Sequence, residues 1–254
     1  MQHGDYYQRL WDDFLELADK IDGMVDDLGK RYSEFDSESV TFKRRISTGK
    51  SIFSSLVRDA EQAFAPTGGT LQIDTYEYLD WKKPLEQYEW SNFSPSGLWA
   101  ALEEAYGGSK GVEIGYRQTA HDLIHTFSLN RDDSVERKSG YVILRIRVWM
   151  DSFDRKWSKR NRLNYSCADT VNKSLSTLSA FADWAGDDEL AFACKRLRWS
   201  TQHDVTSREK TIVSGNLMIV TFLEYFEFRF TQQLAENLQI FLGQYGFANH
   251  EAAA

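Results

Sequence analysis

The sequence predicts an α+β fold in which helices pack on an antiparallel sheet. Apolar residues recur at helical spacing through the first half, whereas the second half contains alternating segments joined by short turns. The helices come in blocks and do not alternate strictly with strands, which favours α+β over a parallel α/β arrangement. With 254 residues, 42% of them hydrophobic and 14% aromatic, the chain can bury one large core or two small ones.

The first part of the chain reads as helices. Apolar residues repeat every three or four positions from Asp5 to about Tyr32, which predicts a long amphipathic helix. A second helix is predicted over Ser47 to Phe64, with Ser47 or Thr48 as its N-cap and Pro66 beyond its end. The sequence predicts a helical N-terminal region over 1–65 and an α+β domain over 66–254, which together can form one continuous domain.

Three further elements precede the middle of the chain. The segment LQIDTYEYL, residues 71–79, alternates in polarity and predicts a strand. A helix is predicted over 94–108, because Ser94 is a good N-cap, Pro95 suits the first helical position and glycines follow. Another helix is predicted over 112–127.

The second half begins with the strand YVILRIRVWM, residues 141–150. Its even-numbered residues form one apolar face, so the odd-numbered residues, among them Arg145, Arg147 and Trp149, lie on the other. A helix is predicted over 166–184. A hairpin follows with its turn at Ser214 and Gly215, then the strand YFEFRF and a last helix closed by Gly243 or Gly246.

The net charge of −8 is unevenly distributed. Residues 1–40 hold eleven acidic and only four basic side chains, whereas basic residues cluster later in the chain. A surface with separate acidic and basic regions is expected. The basic segment FDRKWSKRNRLNY, residues 153–165, is the most unusual. It is either a solvated turn or a binding surface, since its cations can hold phosphate or carboxylate groups and its indole can stack on a base. The predicted binding residues are Arg145, Arg147, Trp149, Arg155, Lys156, Trp157, Lys159, Arg160 and Arg162.

The segment HDLIH places His121 and His125 four residues apart on one predicted helix face. Metalloproteases of the HExxH type bind zinc in this way, but Asp122 stands where they have a longer glutamate. His203 is the best candidate for a third ligand. A zinc or other divalent metal site is therefore the alternative, and a structural helix whose histidines lie at its margin is the favoured interpretation.

The segment STGKS, residues 47–51, ends like a phosphate-binding loop, but Arg44 occupies the position of its first glycine. Without that glycine the backbone cannot wrap a triphosphate. Helix capping is the favoured interpretation.

The segment GNLMIVTFLEYFEFRFTQQLAENLQIFLGQYG, with the strand and helix before it, resembles the end of a phage- and plasmid-encoded domain of unknown function that sometimes accompanies DNA methyltransferases. The resemblance covers about residues 139–245. Met218 stands where that domain tends to have a histidine after the glycine-asparagine turn. The resemblance implies a mobile-element setting and supplies no catalytic residues.

Together these patterns predict a non-catalytic protein without a cofactor, which binds a protein or nucleic acid through its basic and aromatic surface. The alternative is a metal-dependent hydrolase or nuclease that uses HDLIH. The long first helix predicts self-association. No apolar run long enough to span a membrane is present and no signal peptide is recognised, so a cytoplasmic protein with reduced Cys167 and Cys194 is expected.

Overall fold

The computed structural model of the chain describes residues 3–32, 41–87, 89–131, 134–151, 153, 156 and 160–246. These residues form two compact units. The first contains the described residues of 1–65 and 72–111, and the second those of 66–71 and 112–246. The fold class is α+β, as the sequence predicted. The first unit therefore includes residues 72–111 in addition to the predicted N-terminal region.

The first unit is helical. Its described α-helices are α1 (His3–Arg31), α2 (Phe42–Phe64), α3 (Leu79–Glu86) and α4 (Pro95–Tyr106). α1 packs on α2 and α4 through a side that buries Gly4, Trp11 and Ala18. A methyl group on Gly4 would lie 2.8 Å from Cβ of Trp99, so glycine permits this close approach. The side chain of Ser94 caps α4 by accepting a hydrogen bond from the amide of Gly97, which confirms the predicted N-cap.

α2 begins five residues before the predicted start, at Phe42, so the prediction that Ser47 or Thr48 caps this helix was wrong. Arg45 extends the helix because its guanidinium contacts Asp19 at 2.7 Å and Asp22 at 2.9 Å. The hydroxyl of Thr41 donates to Asp22 at 2.6 Å. Residues 47–51 thus lie inside α2, where backbone amides bond within the helix and cannot wrap a phosphate.

The prediction of a strand over residues 71–79 was also wrong. Residues 75–78 form a 3₁₀ turn that leads into α3, and Asp74 initiates the turn by accepting a hydrogen bond from the amide of Tyr76 at 2.8 Å. The amide of Ile73 donates to the carboxylate of Glu61 at 3.0 Å. A side chain therefore satisfies the backbone group that a neighbouring strand would otherwise have paired.

The second unit combines helices with a sheet. Its helices are α5 (Ser109–Thr126, from residue 112 on), α6 (Tyr165–Trp184), α7 (Asp188–Arg196) and α8 (Gln232–Tyr245). Its strands are β1 (Glu136–Lys138), β2 (Tyr141–Arg147), β3 (Lys210–Ile212), β4 (Leu217–Thr221) and β5 (Tyr225–Thr231). The sheet is antiparallel in the order β1-β2-β5-β4-β3. The predicted hairpin and last helix are confirmed, whereas β1 and α7 were not predicted.

The core of the second unit lies between the inner face of the sheet and its helices. Phe226, Phe228 and Phe230 point inward from β5, and Phe127 packs edge-on against Phe228 with ring centroids 5.2 Å apart. Cys167 and Cys194 are both free and buried, and burial raises the pKa of the Cys194 thiol to about 12. None of the helices among the described residues is both long and apolar enough to cross a bilayer.

Candidate functional site

The outer face of the sheet carries the side chains that the sequence singled out. Along β2 and just beyond it, Arg145, Arg147 and Trp149 are exposed, while Ile146 and Val148 between them are buried in the core. Arg147 lies opposite Tyr225 of β5. The described helices of the second unit pack on the inner face, and around Arg145, Arg147 and Trp149 the outer surface is cationic and aromatic.

A cavity of about 680 Å³ adjoins this surface and is here called the basic cleft. It lies where the ends of α5 and β2 meet the first turns of α6. Four cations line it, together with two carboxylates and one histidine. The lining residues are Asp122, His125, Thr126, Phe127, Ser128, Arg131, Ser134, Arg145, Ile146, Arg147, Asp169, Thr170, Lys173 and Tyr225.

Arg145 is held in place by acidic neighbours. Its guanidinium donates to Glu227 at 2.9 Å and also to Glu136, and it lies over the ring of Tyr225 at 5.3 Å. Burial alone would raise the pKa of Glu227, but hydrogen bonds from Arg229 and Arg145 outweigh it and lower that pKa. Burial alone would lower the pKa of Arg145, but Glu227 and Glu136 raise it. Arg145 is therefore a fixed, permanently charged and largely neutralised side chain.

The other three cations of the cleft differ in their partners. Lys173 lies 3.3 Å from the carboxylate of Asp122. Arg131 and Arg147 have no ion-pair partner among the described residues, and both side chains are exposed. An anion entering the cleft would therefore meet two guanidinium groups whose charge no described carboxylate neutralises.

Trp149 combines a fixed backbone with an exposed ring. Its amide donates to Sγ of Cys167 at 3.1 Å, and its carbonyl accepts from the amide of Asn164 at 3.0 Å. Its side chain is nevertheless 67% exposed. An exposed indole on a rigid strand end can stack on a planar ligand at little cost in conformational entropy.

The backbone beside the cleft is also unpaired. The amide of Val148 donates to Glu224, so even-numbered residues of β2 bond to β5 and odd-numbered residues face the other way. On that side β1 reaches only as far as Glu136, opposite Ile143. In the part of the chain that the structure describes, no strand pairs with the outward backbone groups of Arg145 and Arg147.

The structure does not bring the three predicted metal-ligating histidines together. His125 lines the basic cleft, whereas His203 lines a different cavity of about 230 Å³. His121 lines neither of them. Across the described residues, no three His, Cys, Asp or Glu side chains are grouped to hold a metal ion. Asp122, at the position of the metalloprotease glutamate, is paired with Lys173.

The basic segment after β2 is only partly described. Arg155, Trp157 and Lys159 lie outside the described residues, and Lys156 is exposed. Arg160 and Arg162 both contact Asp204, at 4.0 and 3.6 Å. The acid of the TQHD segment thus offsets part of the charge that the sequence assigned to this surface.

Several residues of the cleft were not predicted. Tyr225 could have been found by extending the strand alternation to YFEFRF. Asp169 and Lys173 are four residues apart and share one face of α6, but their spacing does not indicate which strand end they meet. Arg131 lies in a loop, where no periodicity operates.

No family model, no curated protein and no solved structure matches this chain.

Proposed function

We propose that this chain is a binding protein that holds single-stranded nucleic acid at the basic cleft and on the adjoining outer face of the sheet. The observation that carries the proposal is the combination of Arg131 and Arg147, which lack ion-pair partners among the described residues, with the exposed indole of Trp149 two residues beyond Arg147. Cations that follow a phosphate backbone and aromatic rings that stack on bases are the two components of single-strand recognition.

The geometry favours a single strand over a duplex. An exposed sheet face with aromatic side chains presents flat stacking surfaces, whereas reading a duplex groove requires a protruding helix or ribbon. Successive residues on one face of a strand are about 7 Å apart, from roughly 3.4 Å per residue. Arg147 and Trp149 are therefore spaced to contact neighbouring nucleotides of an extended chain.

The proposal is tested by fluorescence anisotropy with a labelled oligo-dT of about 15 nucleotides, near the upper end of known site sizes. Trp149→Ala should weaken binding about 5- to 150-fold, because one stacked base contributes roughly 1–3 kcal/mol. Arg147→Gln should reduce the steepness of the salt dependence by about one phosphate contact. Arg137→Gln is the matched control, because Arg137 has the same charge and lies in the same sheet but outside the cleft. Absence of binding at low salt, or equal binding by all three variants, would refute the proposal.

A second candidate target is an acidic, extended peptide that adds a strand to β2. The unpaired backbone of Arg145 and Arg147 favours it, because a peptide can pair with an exposed strand edge while its carboxylates meet the cations of the cleft. This candidate depends on backbone groups, whereas nucleic-acid binding depends on the side chains.

The two candidates are separated by comparing Arg147→Pro with Arg147→Ala. Both remove the guanidinium, but only proline removes the outward amide, and that amide makes no bond to β5. With a peptide of alternating Glu and Val as the probe, proline should weaken binding clearly more than alanine. Equal effects of the two variants would exclude strand addition.

Self-association through α1 is the third part of the proposal. Leu10, Phe14, Leu17, Ile21, Met24 and Leu28 follow one another at alternating four- and three-residue steps, the heptad pattern of helices that pair. Leu17 is 57% and Met24 is 68% exposed, while Gly4, Trp11 and Ala18 face the rest of the first unit. A second copy of α1 would cover this stripe.

Light scattering tests the self-association. The wild-type protein should have a mass above the 29.4 kDa of one chain, and Leu17→Asp combined with Met24→Asp should reduce it to that value. Asp12→Asn with Asp26→Asn, on the exposed acidic side of the same helix, is the control. A wild-type mass of one chain at tens of micromolar protein would contradict the prediction.

A further inference from the structure

A second cavity, of about 300 Å³, lies where α8 meets the β1 side of the sheet. It shares no lining residue with the basic cleft. Val142, Leu144 and Phe230 of the sheet form one wall, and Leu238 and Leu242 of α8 form the other. Its volume is at the lower end of the range of about 300–1,000 Å³ for small-molecule sites, which are typically apolar with a few polar groups.

The two charged residues of this cavity differ in their hydrogen-bond partners. Glu236 accepts a hydrogen bond from the side-chain amide of Gln232 at 3.0 Å. Arg137, on β1, has no side-chain hydrogen bond or ion pair among the described residues. Val135, two residues earlier, is 48% exposed. The cavity thus joins an apolar interior to one guanidinium that makes no side-chain hydrogen bond within the described part of the chain.

We propose that this cavity binds a small amphipathic carboxylate, with its hydrocarbon tail among Val142, Leu144 and Leu238 and its carboxylate at Arg137. Burial of an apolar tail in this cavity favours binding, because it removes apolar surface from water. Two donors of the guanidinium can hold both oxygens of a carboxylate. The small volume selects a short chain. Because Arg137 is accompanied in the lining by the Glu236 carboxylate, the site admits no more than one negative charge in the head group. This site is independent of the proposed nucleic-acid binding.

Isothermal titration with octanoate and with 1-octanol tests the site, because the two probes share a tail and differ in the head group. Octanoate should bind saturably to the wild-type protein. Arg137→Gln should weaken octanoate binding about tenfold, as expected for loss of a charge-assisted contact, and should change 1-octanol binding less than about twofold. Arg147→Gln, in the other cavity, should change neither.

Two further variants keep the test decisive. Ala235→Leu and Ala235→Phe add bulk to the α8 wall and should progressively remove binding of both probes, with circular dichroism confirming that each variant is folded. The proposal is overturned if octanoate shows no saturable binding at millimolar concentration. It is also overturned if Arg137→Gln binds octanoate as well as the wild-type protein does, or if folded Ala235 variants bind both probes unchanged.

Discussion

On β5, the inner face presents Phe226, Phe228 and Phe230 to the helices, whereas the outer face presents Tyr225, Glu227 and Arg229. The inner side chains are fully buried and contact other rings. Glu227 is also buried, but beneath the two arginines that it neutralises. One strand therefore supports two different chemistries, a core that stabilises the second unit and an outer face of paired charges.

The outer face of β5 is held in place by charge pairs and not by a covering layer of the described helices. Burying a carboxylate is costly unless charge-assisted hydrogen bonds compensate, and Glu227 receives them from both sides. The network fixes Arg145 and Arg229, and it leaves Arg147 and Trp149 exposed at the end of the strand. Rigid scaffolding beside exposed side chains is the arrangement that favours binding.

Two isoleucines, one on each face of the sheet, measure how differently the two faces are packed. Ile219 on the inner face is fully buried, whereas Ile212, on the neighbouring strand and the outer face, is 77% exposed. Ile219→Ala should lower the free energy of unfolding by about 2–5 kcal/mol, and Ile212→Ala by about 0.5 kcal/mol. Urea denaturation measures both. Equal losses would mean that the outer face is packed as tightly as the inner one.

Glu227→Gln tests whether the charge network stabilises the outer face. The substitution leaves two cations without their shared carboxylate, and we expect it to lower the free energy of unfolding by about 2 kcal/mol. This is less than the roughly 3–5 kcal/mol for a buried pair, because solvent screens the partly exposed Arg145. Glu136→Gln, whose carboxylate is more exposed, should lose only about 0–1 kcal/mol.

The stabilisation by Glu227 should depend on pH. The pKa of Glu227 is lowered in the folded protein, so its stabilisation is fully present above the unfolded pKa of about 4.3 and is lost as the pH falls through the folded value. The difference in unfolding free energy between wild type and Glu227→Gln should therefore be largest near neutral pH and shrink below about pH 4. A difference that is constant down to pH 3 would contradict this origin.

Periodicity correctly predicted the helices and strands whose signals lie within their own segment of sequence. β2, the hairpin, α6 and α8 were recovered because alternation, turn residues and caps lie within each segment. The strand prediction for residues 71–79 was wrong because an alternating pattern alone does not provide a partner strand. Asp74 starts a turn there instead. The predicted start of α2 was wrong because Arg45 contacts Asp19 and Asp22, which lie more than twenty residues earlier in the sequence. Local periodicity does not show such contacts.

For the candidate site, too, local patterns identified some residues and missed those that depend on distant contacts. Alternation identified Arg145, Arg147 and Trp149 as one face, and the structure confirms their exposure. Sequence spacing could not show that Lys173 and His125 would meet that face, nor that Asp204 would pair with Arg160 and Arg162. The mobile-element setting implied by the resemblance of residues 139–245 remains a prediction, and sequencing the genomic neighbourhood would test it.

The smallest expected effect on stability is that of Trp149→Ala. The backbone of Trp149 donates a hydrogen bond to Cys167 and accepts one from Asn164, and these bonds hold the strand end without the indole. We therefore expect a change in unfolding free energy of about 0.5 kcal/mol or less. A buried aromatic residue would instead lose about 3–5 kcal/mol, and Phe226→Ala, at the inner face, provides that reference. Thermal unfolding of both variants measures the contrast. A loss for Trp149→Ala close to that of Phe226→Ala would show that the indole packs as part of the fold. The weaker oligonucleotide binding of this variant would then reflect a damaged scaffold, whereas unchanged stability with weakened binding would locate its role in stacking.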